Sequence, residues 1–150
     1  MAPEIAEPLR ARLVADPLAA LLGIRIEALE AGFVRASMPV TTHLLNAAGT
    51  AHGGATMALI DVVHAVVSNS HGTLAVAQDV HTEFVTAGAL GDVLECEGRE
   101  VHRSRRTALY RIDVRVRPGE GEPPGRLVAT ALARVFRMDR PWLDDEGTAR

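Results

Sequence analysis

The stretch Asn46-Ala-Ala-Gly-Thr-Ala-His52-Gly53-Gly54-Ala-Thr-Met-Ala-Leu-Ile-Asp61 constrains the fold more than any other part of this chain. A polar, glycine-rich loop leads into Ala55 to Val67, a run so apolar on every side that a helix built from it has to be buried. Asp61 sits in the middle of that run. A carboxylate taken out of water is costly unless it is paired or hydrogen-bonded, so an acid there calls for a reason, and function is the first to test. At the other end, Gly53 and Gly54 would form a first helical turn whose N–H groups lack intrahelical partners and side-chain cover. The positive end of the helix dipole points the same way, so the turn suits a carbonyl oxygen gaining negative charge. An oxyanion donor and a buried acid on one element suggest acyl chemistry.

The rest of the composition narrows the setting. With 150 residues the chain is most simply one domain, able to bury a core without metal or disulfide staples. The single Cys96 excludes an intrachain disulfide and fits a reducing compartment. A net charge of −3 gives no electrostatic footprint for nucleic acid. The opening Met1-Ala-Pro-Glu4 and the charged segment after it argue against a signal peptide, so a cytoplasmic location is expected. Met57 to Val67, interrupted by Asp61 and His64, is too short to span a bilayer, and no membrane partner is expected. All 16 basic residues are Arg, which excludes a catalytic lysine and with it Schiff-base chemistry.

Residues 3–22 read as one or two short helices interrupted at Asp16-Pro17, where Asp can cap and Pro can open a first turn. Ile24 to Leu29 and Phe33 to Val40 are expected strands joined at Ala31-Gly32. A loop over Thr41 to Ala51 precedes the buried helix, about Gly53 to Ser70, which His71-Gly72 closes. From there the period is two. In Leu74 to Val85, Leu74, Val76, Val80 and Phe84 are expected on one face, with Asp79, His81 and Glu83 on the other. Asp92 to Val101 is a weaker strand with Gly98 as a candidate bulge. Thr107 to Arg117 should turn Ala108, Tyr110, Ile112, Val114 and Val116 inward. Gly119 to Gly125 is a surface hairpin loop, Leu127 to Met138 a last strand, and residues 141–150 an acidic tail expected to fray.

Two strands, a buried helix and four further strands make an α+β chain in which an antiparallel sheet wraps a central helix. The segment Asn46-(x)2-Gly49-(x)2-His52-Gly53-Gly54-(x)5-Ile60-Asp61 resembles the signature of hotdog-fold acyl-CoA thioesterases, close to the PaaI subfamily of phenylacetate catabolism. The likeness continues through Ser68-Asn69-Ser70-x-Gly72, Gly91-Asp92 and Ser104-Arg105-Arg106-Thr107-Ala108-x-Tyr110-Arg111, covering about Asp16 to Met138. It implies a single hotdog domain hydrolysing an acyl-CoA thioester, with phenylacetyl-CoA the favoured substrate and a medium-chain acyl-CoA another. It also implies a homodimer with shared sites, commonly paired into a homotetramer, and no cofactor beyond the coenzyme A of the substrate.

On this resemblance the Gly53 N–H, with Gly54 beside it, would hold the thioester oxygen, and Asp61 would activate water or attack the carbonyl. Asn46 would orient the acyl carbonyl or hold its loop. His52 ranks below Asp61, as a residue that bonds locally. Three positions depart from the family pattern: Val62 where Ser or Thr often follows the acid, Ala77 where some relatives carry Ser, and His64 where an apolar or aromatic residue is common. His64, three residues after Asp61, could pair with it, contact substrate, or be a satisfied core histidine. Arg103, Arg105 and Arg106 form a basic group suited to the phosphates of coenzyme A, or simply to a solvated hairpin end. Asp79, His81 and Glu83 offer metal-ligand types on one strand face, but a solvated face explains them and no metal is expected. Two alternatives stay open: a hotdog enoyl-CoA hydratase or dehydratase, and a non-catalytic acyl-CoA-binding module.

Overall fold

The computed structural model describes residues 4–144. Its elements follow in the order α1 (Glu7–Val14), α2 (Pro17–Leu22), β1 (Arg25–Glu30), β2 (Phe33–Pro39), a 3-10 turn (Thr42–Leu44), α3 (Gly53–Asn69), β3 (Thr73–Phe84), β4 (Val93–Arg103), β5 (Thr107–Val116) and β6 (Leu127–Pro141). Local chemistry sets the early boundaries as expected. The Asp16 carboxylate accepts the Ala19 N–H at 2.9 Å, Pro17 opens α2, and Gly23 ends it in the left-handed region at φ 71°.

The strands form one antiparallel sheet in the order β1-β2-β4-β5-β6-β3. It curves around α3, whose Leu59, Ile60, Val63 and Val67 are fully buried with Tyr110, Ile112 and Val114 of β5. Buried polar side chains tie the far end of the helix to the strands. The Asn69 amide accepts the Ala75 N–H at 2.9 Å and donates to the Ala75 carbonyl at 3.2 Å, while Ser70 Oγ accepts the Gly32 N–H at 2.9 Å. With Ser68 Oγ donating to the Ala65 carbonyl at 3.3 Å, these bonds account for the Ser68-Asn69-Ser70 motif as structural. Among the described residues no helix is long and apolar enough to cross a membrane.

Four expectations need correction. Gly98 is not a bulge: it pairs in register with Val34 and Ile112, and the irregularity lies between Glu100 and His102. A glycine stands there because a Cβ would meet Val63 Cγ1 at 2.7 Å, so the missing side chain lets α3 lie close on the sheet. In β3 a register shift between Ala77 and Asp79 leaves Gln78 as the extra residue and exchanges the faces. Val80 and Phe84 pair with inward Ala133 and Ala129, whereas Val76 pairs with Phe136 on the side of Asp79 and His81. The tail is ordered at its start: Pro141 belongs to β6, and Trp142 donates its N–H to the Gly72 carbonyl at 2.9 Å and packs on the core. Its remainder, 145–150, lies outside the described residues, as does the start of the first helical segment at Pro3.

The fourth correction concerns Asp61. It is exposed, although its neighbours Ile60 and Val62 are buried. Gly54, Asp61 and Ala65 are exposed and Ala58 half-buried, at helical spacing, so they form a stripe that the chain's own sheet does not cover. Uniform apolarity of the helix hid this stripe, since alanines and a glycine count as apolar whichever way they face.

Candidate active site

The loop before α3 is built on Asn46. Its Oδ1 accepts the N–H groups of Ala48 at 3.0 Å and Thr50 at 3.1 Å, and its Nδ2 donates to Thr50 Oγ1 at 2.9 Å. Gly49, at φ 80°, supplies the left-handed turn that closes this loop. Asn46 therefore holds the loop through three bonds, the second of the two roles expected of it. His52 is the N-cap of α3: its Nδ1 accepts the Gly54 N–H at 2.9 Å, which puts the proton of the neutral ring on Nε2. That bond occupies the Gly54 donor and corrects its assignment to the substrate.

The Gly53 N–H, the first of the helix, has no acceptor among the described residues. Gly53 lines a cleft of about 270 Å³ together with Asn46, Thr50, Thr56, Phe84 and Val85. Its Cα packs under the Phe84 ring, where a Cβ would come within 3.5 Å of Cζ. A polarised oxygen placed there would meet a bare N–H at the positive end of a helix of 17 residues.

Asp61 is not in that cleft. Eight residues along one continuous helix separate it from Gly53, about 12 Å of rise at ~1.5 Å per residue. The structure thus brings Asn46 and Gly53 together and leaves Asp61 apart. His64 does not share the exposed face of Asp61. It is 1% exposed and turned toward Tyr110, with ring centroids 5.7 Å apart. Burial pushes its pKa below the ordinary histidine value, an effect the Asp61 charge partly offsets. His64 Nε2 and the Tyr110 hydroxyl are both buried without a hydrogen-bond partner among the described residues. His64 is thus a core histidine, but not the satisfied one expected, and its burial leaves it off the open face that substrate contact would need.

Arg103, Arg105 and Arg106 are exposed at the β4–β5 hairpin, where Arg103 pairs with Glu100 at 3.3 Å and Arg105 with Asp139 at 3.2 Å. Val128 of β6 lines the Gly53 cleft and Asp139 of β6 meets the hairpin, so some 11 residues of strand, about 35 Å at ~3.3 Å each, separate the two within one chain.

The family model of the thioesterase superfamily matches residues 48–122, from the loop before α3 to the turn after β5. The acyl-coenzyme A thioesterase PaaI of Escherichia coli is 34% identical over 99 residues, which cover 66% of this chain and 71% of that one. The chain belongs to the thioesterase superfamily. It is a thioester hydrolase with the hotdog fold. The structure of the E. coli PaaI protein from the phenylacetic acid degradation operon superposes with a TM-score of 0.82 at 27% identity, covering 92% of this chain and 99% of that one. A hypothetical thioesterase from Streptococcus pneumoniae, solved with coenzyme A, gives 0.71 at 30% identity, with 79% and 90% covered.

The geometry of this thioesterase also holds a neighbour of the site that the sequence did not single out. Trp142, with the α1–α2 corner, stands beside Ala65, one turn from Asp61. The signal for Trp142 was its being the single Trp of the chain, at the head of an acidic tail.

Proposed function

We propose that the protein hydrolyses acyl-CoA thioesters to free acid and coenzyme A in the cytoplasm, at sites shared between two chains, with phenylacetyl-CoA as the favoured substrate. One observation carries this reading: an N–H at Gly53 with no acceptor among the described residues and an exposed carboxylate at Asp61 lie on the same helix about 12 Å apart. A reacting carbonyl has to lie within roughly 3 Å of both its oxyanion donor and the group that delivers water. Two copies of α3 set antiparallel about a two-fold axis meet this requirement twice, each Gly53 beside the other chain's Asp61. The unpaired edge of β3, 12 residues long with Val76 exposed, offers the backbone groups along which two sheets would join. A further pairing of dimers gives the tetramer.

In this site Asp61 takes a proton from water while the water oxygen bonds to the thioester carbon. Negative charge gathers on the carbonyl oxygen at the Gly53 N–H, the carbon–sulfur bond breaks, and the proton passes to the departing thiolate. His52 acts through position, fixing Gly54 and the helix start, and Asn46 holds the loop. The two-fold also resolves the distant arginines. The β4–β5 hairpin borders the start of β3, since Thr107 and Val76 both pair with Phe136, and in the proposed dimer that start would lie against the end of the partner's β3, next to the partner's Gly53. Arg103, Arg105 and Arg106 would there receive the phosphates of coenzyme A. The names of the E. coli relative and of the coenzyme A-bound streptococcal structure support this ligand.

A panel of acyl-CoAs assayed for free thiol tests the reaction, with Asp61→Asn expected to lower kcat on the order of a hundredfold. Co-refolding Asp61→Ala with Gly53→Pro tests the shared site: half the dimers mix and half their sites are whole, so activity should recover to about a quarter of the parent's. Verified mixed dimers without activity would end the two-chain model.

A further inference from the structure

The stripe that carries Asp61 also floors a second cleft. About 270 Å³ of space lies between the α1–α2 corner and α3, walled by Leu13, Ala65, Val66 and Trp142, with Arg12 and Asp16 among the polar lining residues. Ala65 is one helical turn beyond Asp61 and exposed on the same face. Trp142 is held at two points: its main-chain N–H donates to the Gly72 carbonyl, and the Arg12 guanidinium lies 5.9 Å from its ring centroid. Asp16 is occupied in capping α2.

Both clefts mix polar and apolar walls. The one at Gly53 sets Asn46, Thr50, Thr56 and Thr86 beside Phe84, Val85 and Val128, and its polar groups suit the amide-bearing arm of coenzyme A. The cleft one turn from Asp61 sets the Trp142 indole, Leu13 and Val66 beside Arg12 and Asp16, and its apolar part suits a hydrocarbon or an aryl ring. The two-fold that sets Gly53 against Asp61 would join these half-sites end to end, with the thioester at the junction. We propose that the cleft between Ala65 and Trp142 receives the acyl group, and that these two residues determine which acyl groups are accepted. This rests on the thioesterase reading above. A volume near the lower end of the ~300–1,000 Å³ common for small-molecule sites favours a compact aryl or medium-chain acyl group over a long fatty chain. Each methylene that fits should raise kcat/KM about fourfold, until the cleft is full.

Trp142 is the chain's single tryptophan, so its fluorescence reports on the cleft directly. The full-length Asp61→Asn variant, which turns substrate over on the order of a hundredfold more slowly, is titrated with coenzyme A, acetyl-CoA, octanoyl-CoA and phenylacetyl-CoA, each reading corrected for the residual thiol release, with calorimetry as an independent measure of binding. Phenylacetyl-CoA and octanoyl-CoA should change the emission saturably, and coenzyme A and acetyl-CoA should leave it unaltered. In otherwise parental enzyme, Ala65→Leu should lower the kcat/KM ratio of phenylacetyl-CoA to acetyl-CoA at least tenfold. Acyl-CoAs that bind by calorimetry while Trp142 stays silent, or an equal response to coenzyme A alone, would overturn the proposal. Failure of the hydrolytic reading looks different: no thiol is released by the parent, whereas Trp142 still distinguishes acyl-CoA from coenzyme A.

Discussion

Gly98→Ala adds one methyl group at the point where α3 comes closest to the sheet. The new Cβ would stand 2.7 Å from Val63 Cγ1 and 3.4 Å from Val67 Cγ1. Non-bonded carbons relax at about 3.5–4.0 Å, so the first contact is short by roughly 1 Å. Val63 and Val67 are both fully buried, and neither end of the clash is a flexible side chain that can swing into solvent. Either Val63 leaves its rotamer or α3 withdraws from β4. Overpacking of this kind costs about 1–3 kcal/mol, and for a chain of this length each kcal/mol lowers Tm by about 2–4 °C. Asp61 lies two residues from Val63 on the same helix, so a withdrawal near 1 Å also displaces it, a shift that can lower kcat on the order of a hundredfold.

Thermal and urea unfolding measure the first effect and thiol release the second. Val63→Ala in the same chain removes the opposing methyl groups, so the double variant should be more stable than the sum of the single losses predicts, by about 1 kcal/mol or more. A Gly98→Ala protein that melts with the parent would refute the reasoning, because α3 would then not rest on the bare Cα of residue 98.

Tyr110→Phe removes a buried hydroxyl that has no partner among the described residues, so it should raise stability by on the order of 1 kcal/mol; a lowered urea midpoint would reveal a partner for that hydroxyl. His64 gives the acid side of the stability profile. Burial holds its folded pKa below the ordinary 6.5, so between those two values the unfolded chain binds the proton and the folded one does not. Its contribution is complete above about pH 6.5 and is lost as pH falls toward the folded value, and urea melts of His64→Phe should lack this part of the slope. Arg103→Ala, Arg105→Ala and Arg106→Ala combined should raise KM with kcat nearly unchanged, by an amount that shrinks as salt is added; an unaltered KM would remove these arginines from the coenzyme site.

How far the sequence could be read depended on the range of the interaction involved. Asp16-Pro17, Ala31-Gly32 and the alternation of Ala108, Tyr110, Ile112 and Val114 are local signals, and the structure follows them. Gly98 was visible as an unusual residue in a strand, but its cause is Val63, on another element and distant in sequence. The bulge at Gln78 left no trace, because Val76 and Val80 are apolar on both sides of the exchange and a period-two count runs through them unbroken. Gly53 could be singled out because a helix start leaves an N–H bare wherever it occurs. His64 stayed open among three readings for the opposite reason: three residues from Asp61 is near on a helix, yet far enough to turn from the open face to the buried one.

The exposure of Asp61 has a deeper bearing on the proposed site than its burial would have had. On α3 the open stripe runs through Gly54, Ala58 and Ala65, the smallest side chains available. Packed helices stand about 8–10 Å apart, with small contact residues giving the lower end of that range. Only near that lower end could a short carboxylate on one helix reach a carbonyl held by a backbone N–H on the other. A Leu or Phe at position 58 would serve an ordinary core contact better, adding buried apolar area, but it would push two facing helices apart and open both sites together. The stripe therefore makes sense as a surface kept small for close approach, at a loss of apolar burial that a purely structural helix would have no reason to accept.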